Sequence, residues 1–239
     1  MQKFATSEAK KSYIFCENLH LIVIHAEPVH RVVQQWQWSI DKDRAGLNLL
    51  HRSFIEHWLG KDPVHDLSCQ DDSAESVIWE HNILLSGGAV SNTISRHYFN
   101  HFKKINYVIE YSMPGYQDVE ILDRANGRAV RAVYSADRYR QSKVVEVDFG
   151  ILTVMRNPMN KGKHIVGCMG IHGYGSFACY AVLSDRALLR DLMNIVGKSR
   201  TDEGFQIIVE HDVGARSTRI LEDTLFSIQD DDWRAEKHD

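Results

Sequence analysis

Apolar residues fall along this chain in short compact runs, separated by stretches in which they recur every three or four positions. Leu19 to His25 (LHLIVIH) is apolar, β-branched and closed by Pro28, which predicts a first strand. From Val29 to Leu59, the residues Val32, Val33, Trp36, Ile40, Leu47, Leu50, Phe54, Ile55 and Trp58 keep helical spacing. They predict helices broken around Gly46 and stopped by Gly60 and Pro63. Asp62 to Ser76 is rich in turn formers and predicts a surface loop. His81 to Ser86 then reads as a second apolar strand, ending in Gly87-Gly88. Ser91 or Asn92 stands ready to cap a helix that carries Ile94, Tyr98 and Phe102.

The pattern changes from Ile105 to Val154. Short β-rich runs (Tyr107 to Tyr111, Val130 to Tyr134, Val144 to Val147, Ile151 to Val154) alternate with turn signals such as Asn126-Gly127, which predicts a meander or hairpin insertion. Asn157-Pro158 and Asn160-Lys161-Gly162 turn the chain into a strand from His164 to Ile171. That strand breaks into the glycine turn Gly170 to Ser176 and continues as a helix to Val196, where Gly197 ends it. Phe205 to Asp212 and Thr218 to Ile228 are two more β-rich runs, and a charged tail follows from Asp230. The order predicts an α/β open sheet with helices on both faces and a β-hairpin insertion. Residues 1–76 form an N-terminal strand and helical segment, 77–229 an α/β domain and 230–239 a tail, or else 13–229 is one continuous domain.

Composition narrows the partners more than the fold. With 28 basic and 32 acidic residues the formal charge is -4, so no global positive field draws nucleic acid or anionic lipid. No apolar run approaches the ~18 residues of a spanning helix, and the N-terminal stretch lacks the apolar core of a signal peptide. A cytoplasmic protein without membrane contact is expected. The four cysteines, Cys16, Cys69, Cys168 and Cys179, are scattered without a C-x-x-C pair, and reduced thiols are expected.

The two glycine turns carry the candidate chemistry. Each follows an apolar strand and precedes a helix, and each places small polar groups at the turn: Ser86, Ser91 and Asn92 in one, His172 and Ser176 in the other. If the two strands are neighbours, the turns face one crevice at the carboxyl edge of the sheet. Backbone N–H groups and a helix N-terminus can hold an anion there. The competing reading is that the glycines only permit positive φ and close packing.

Familiar motifs are half present. Gly173-x-Gly175-x-x-Ala178 fits the dinucleotide fingerprint, but Glu210 comes too late to serve as its ribose-binding acid. His172-Gly173-x-Gly175 is similar to a hydrolase oxyanion loop, yet no G-x-S-x-G elbow follows. Gly197-Lys198-Ser199 has Leu192 where a P-loop has its first glycine. No cysteine occurs after Cys179 to complete a caspase-like dyad with His172, so burial is expected for Cys168 and Cys179. His97 and His101, four apart on a predicted helix, lack the glutamate of H-E-x-x-H, and no metal is expected. Trp36, Trp38 and Trp58 read as helix packing, because little basic charge lies among them.

Leu85 to Asn92 (LSGGAVSN), Asp148-Phe149-Gly150, Asn157 to Asn160 (NPMN) and Gly170-x-His172-Gly173-x-Gly175-Ser176 together resemble a prokaryotic Rossmann-like domain family. Its largely uncharacterised members carry GGPxxN, DYG, NPFN and GxHGxGT turns. The first and last turns are also similar to the C-terminal region of archaeal S-layer-like proteins. The resemblance spans about the middle and C-terminal two-thirds of the chain, with Ala89 in place of the proline and Ser176 in place of the threonine. It implies a Rossmann-like open sheet and a shared crevice, in a sensor or effector module of a larger assembly.

Three functions follow as expectations. The first is a ligand-binding domain holding a nucleotide-like or phosphorylated small molecule through Ser86, Gly87, Gly88, Asn92, Asn157, Gly170, Gly173, Gly175 and Ser176. The second is a protein interaction or assembly module, with a protein partner or homo-oligomer and purely structural glycines. The third is a hydrolase using His172 as acid or base with Asp148 or Glu146 as carboxylate partner. No cofactor is named by the sequence.

Overall fold

The computed structural model describes residues 21–25, 65–68, 81–88, 92, 94, 95, 99, 105–111, 119–137, 142–157, 160–197 and 204–228. The helices expected between Val29 and Leu59, the His97 and His101 pair and the charged tail lie outside them.

One mixed sheet organises these residues. Its strands are β1 (Leu21–His25), β2 (His65–Ser68), β3 (Asn82–Ser86), β7 (Val133–Asp137), β8 (Ser142–Asn157), β9 (Asn160–Gly170), β10 (Gly204–Asp212) and β11 (Ser217–Ser227). The order across the sheet is β11-β10-β8-β9-β3-β1-β2, with β7 paired to β8 off this path. Strands β2, β1, β3 and β9 run parallel to their neighbours, whereas β9, β8, β10 and β11 pair antiparallel. A second sheet of three strands, β4 (Tyr107–Tyr111), β5 (Val119–Asp123) and β6 (Arg128–Arg131), is an antiparallel meander.

Alternation sends successive side chains of the central strands to opposite faces, and both faces are covered. Leu152, Val154, Val166, Cys168, Phe205, Ile207 and Val209 meet the helices α1 (Gly173–Ser184) and α2 (Arg186–Gly197) on one face. Ile83, Leu85, Ile151, Met155, Ile165, Met169 and Ile208 meet the meander residues Tyr107, Ile109 and Ile121 on the other, together with Ile94 and Phe99. Strands buried on both sides need no polar alternation, which is why β8, β9 and β10 read as nearly continuous apolar runs.

The α/β class holds, with corrections to its detail. Half the sheet is antiparallel, and a meander covers much of the face opposite α1, so the simple open sheet with helices on both faces is not the architecture. The expected insertion between Ile105 and Val154 divides: β4 to β6 form their own sheet, while β7 and β8 belong to the main one. The polar loop expected from Asp62 to Ser76 contains β2, which pairs with β1 through its backbone. Strands from both sides of residue 76 join this sheet. The helix expected as one piece to Val196 is two: Asp185 Oδ1 accepts from the N–H groups of Ala187 (2.8 Å) and Leu188 (3.0 Å) and so caps a fresh helix.

Gln206 ties the two sheets together from within. Its buried Oε1 accepts from the N–H groups of Asn106 (2.8 Å) and Tyr107 (2.9 Å). Its Nε2 donates to the Tyr107 carbonyl (3.0 Å) and the Thr153 hydroxyl (3.1 Å). Every polar position of the amide is met, as a buried amide requires. No described helix is long and apolar enough to cross a membrane.

Candidate functional site

β3 and β9 are adjacent and parallel, with Ser86 opposite Cys168, so both glycine turns leave the sheet at the same edge. They adjoin: Gly87 N–H donates to the Cys168 carbonyl (3.1 Å), and a Cβ on Gly88 would lie 3.4 Å from the Gly170 carbonyl oxygen. The chain after β9 enters α1 on one face, while Ile94 and Phe99 after β3 pack on the other. Neighbouring parallel strands whose connections part in this way open a crevice at their carboxyl ends, the usual place for a ligand in an α/β sheet.

On the β3 side, Gly87 has φ 87°, which makes glycine the residue for this turn. Asn92 is fully buried and works in two directions: its Oδ1 accepts from Ser95 N–H (3.0 Å), and its Nδ2 donates to the Ser86 carbonyl (2.9 Å). It is thus the expected helix cap and also the pin that closes the turn.

On the β9 side, the residue before α1 is His172, whose extended backbone suits an N-cap but whose side chain makes no capping bond. Asp148 of β8 supplies the cap instead. Its carboxylate accepts from Gly175 N–H (2.6 Å), His172 N–H (3.3 Å) and Phe149 N–H (2.9 Å). The α1 dipole and these donors favour the carboxylate. Asp148 is 0% exposed, however, and burial pushes its pKa up to about 7 against the pull of the surrounding N–H groups.

Three glycines make this cap reachable. A Cβ on Gly150 would lie 2.2 Å from the Gly175 carbonyl oxygen, one on Gly175 would lie 2.1 Å from the Phe149 carbonyl oxygen, and one on Gly170 would lie 2.3 Å from Ser176 N. Helix and strands meet backbone to backbone at these points. Gly170 and Gly175 therefore have a packing role whatever else the turn does. Ser176 is buried beside them, with its N–H directed at the His172 carbonyl (3.4 Å).

The His172 imidazole meets a residue that the sequence did not single out. Tyr134 of β7 places its hydroxyl 2.5 Å from His172 Nε2, with the two rings edge to face. Burial holds the imidazole down to about 4, so it is neutral at pH 7. The placement of β7 explains the contact. Val147 of β8 pairs with Asp212 of β10 on one edge and with Val133 of β7 on the other, the edge that β9 uses from Gly150 onward. β7 thus takes over that edge where β9 ends, and stands beyond the carboxyl end of β9 beside His172.

The carboxylate partner expected for His172 lies close, but Asp148 is bonded to its backbone N–H, and the imidazole bond goes to Tyr134. Glu146, two residues earlier in β8, is exposed. Asn157 is not brought to the site. It pairs with Asn160 at the β8–β9 hairpin, separated from Gly170 by the 11-residue length of β9, roughly 33 Å at ~3.3 Å per residue. Ser86, Gly87, Gly88, Asn92, Gly170, Gly173, Gly175 and Ser176 do lie on the two turns.

His211, opposite Asp148 in β10, stacks on Tyr174 and meets Phe177 edge-on, with Nδ1 2.9 Å from the Thr218 hydroxyl. Cys168 and Cys179 form no disulfide and are fully buried in the α1 face of the core. Among the described residues, no group of three or more His, Cys, Asp or Glu is placed to hold a metal ion. No protein-family model, curated protein or solved structure matches this chain.

Proposed function

We propose that this chain is a ligand-binding or sensory α/β domain that holds a nucleotide-like or phosphorylated small molecule between its two glycine turns. The observation that carries the reading is the parting of the connections after β3 and β9 at two adjacent turns, the arrangement at which α/β sheets take up a ligand. Tyr134 and His172 supply directional polar contacts beside these turns, as a small-molecule site requires. The His172 and Gly175 amides at the start of α1 are occupied by Asp148, so the anionic part of a ligand is not held by them.

The test is isothermal titration calorimetry with a panel of nucleosides, nucleotides and sugar phosphates, on the natural chain and on Gly88→Phe. A Cβ at Gly88 would lie 3.1 Å from the buried Ile109 Cδ1 and 3.4 Å from the Gly170 carbonyl, so a phenylalanine there must push into the junction of the two turns, and circular dichroism of the variant establishes that it is folded before it is titrated. Binding by the natural chain and its loss in the folded variant is the expected result. The absence of heat across the whole panel would end the reading.

A further inference from the structure

We propose that Tyr134 and His172 form a recognition pair for the uncharged ring end of the ligand, a flat heteroaromatic ring with a polar edge such as a nucleoside presents, and that the α1 side of the crevice excludes phosphate. The proposal deepens the ligand-binding reading and rests on it.

Three observations converge on this division. The N–H groups of His172 and Gly175, which would hold an anion at the start of α1, are bonded to a carboxylate built into the fold. A phosphate placed there would have to compete with the Asp148 oxygens for these donors, and the space against the helix start is already filled by that carboxyl group. The second observation is the pair itself. Its hydroxyl and imidazole are 2.5 Å apart and offer hydrogen-bonding edges without formal charge while His172 is neutral.

The third is exposure. Tyr134 is 39% exposed, one of few large apolar side chains among the described residues so far open to solvent. It stands on β7, the strand beside His172 past the end of β9. An exposed tyrosine ring adjoining a hydrogen-bonding imidazole suits a flat ring that stacks on one and bonds the other, because base-to-aromatic stacking works with any π face.

The experiment is calorimetric titration of the full chain with ribonucleosides, their 5′-monophosphates and inorganic phosphate, repeated on Tyr134→Phe, Tyr134→Ala and His172→Gln. The thermal unfolding midpoint of each variant is recorded alongside. The expected result is nucleoside binding that Tyr134→Phe weakens about tenfold and Tyr134→Ala abolishes, with the same fold-loss for nucleoside and monophosphate. If nucleotides bind and these variants leave their affinity unchanged, or if the variants act on inorganic phosphate binding, the recognition pair is refuted while the ligand-binding reading stands. If no probe binds the natural chain, the ligand-binding reading falls and takes this one with it.

Discussion

The Asp148 carboxylate sits 2.6 Å from the backbone N–H of Gly175, so helix α1 is capped by a side chain 27 residues earlier on a neighbouring strand. Helix caps are normally local, from the residue at the turn itself. Here His172 occupies that position and turns its imidazole to Tyr134.

Replacing the cap tests its weight. Asp148→Asn keeps one oxygen acceptor but sets an amide N–H₂ against backbone donors. We expect a loss of about 1–3 kcal/mol, the range for leaving buried donors unmet. Urea denaturation followed by circular dichroism measures it, and an unchanged midpoint would show that the carboxylate contributes nothing.

The pH profile has two opposed parts. Asp148 is raised from 3.8 to about 7, so the folded chain binds its proton more tightly than the unfolded one, and stability falls as pH rises from about 3.8 to about 7. His172 is lowered from 6.5 to about 4, so the unfolded chain binds that proton more tightly, and stability rises from about 4 to about 6.5. Between about 4 and 6.5 the two slopes offset each other. Asp148→Asn leaves the rising slope alone, and His172→Gln leaves the falling one. Urea midpoints taken across pH 4 to 7 check this, and parallel profiles for the two variants would contradict it.

Glycine substitutions separate packing from freedom of the backbone. Gly175→Ala puts a Cβ 2.1 Å from the Phe149 carbonyl oxygen and 2.9 Å from Gly170 Cα, with backbone on both sides. We expect destabilisation at or beyond the ~3 kcal/mol upper end for overpacking. Gly197→Ala, at the end of α2 with nothing within 4 Å, is expected to change stability by less than about 1 kcal/mol. Thermal unfolding of the two variants side by side provides the comparison.

Gln206→Leu removes the acceptor for Asn106 N–H and Tyr107 N–H in a buried place. A cost of about 1–3 kcal/mol for each orphaned donor is expected. Hydrogen exchange should quicken at these two amides first, ahead of the core of β8. Uniform quickening everywhere would mean that Gln206 is not a local tie between the sheets.

The sequence and the structure agree best where burial writes itself into composition. β3, β9 and β10 overlap the runs expected for them because apolar strands buried on both faces need no other signal, and the edge strand β11 overlaps its run through Ile220, Leu221, Leu225 and Phe226, which pack partly against the two cores. The pairing of the glycine turns was also legible, since it follows from two strand, turn and helix patterns. Other features depend on contacts distant in sequence. Tyr134 reaches His172 across 38 residues, and only the strand pairing brings them together. β2 hid in a polar stretch because an edge strand can be held by backbone bonds alone. β8 read as two runs because Asp148-Phe149-Gly150 looked like a break, whereas Gly150 is a strand glycine required by the contact with α1. The cap at Asp185 was visible as a residue type, but the apolar spacing running through it suggested a continuous helix.

The contacts of Gly150, Gly170 and Gly175 also have a mechanical consequence. Packed elements slide past one another by small rotamer adjustments in the layer of side chains between them. At the start of α1 there is no such layer, because main chain rests on main chain. The helix end and strands β8 and β9 must then move as one solid, and the floor of the crevice is stiff.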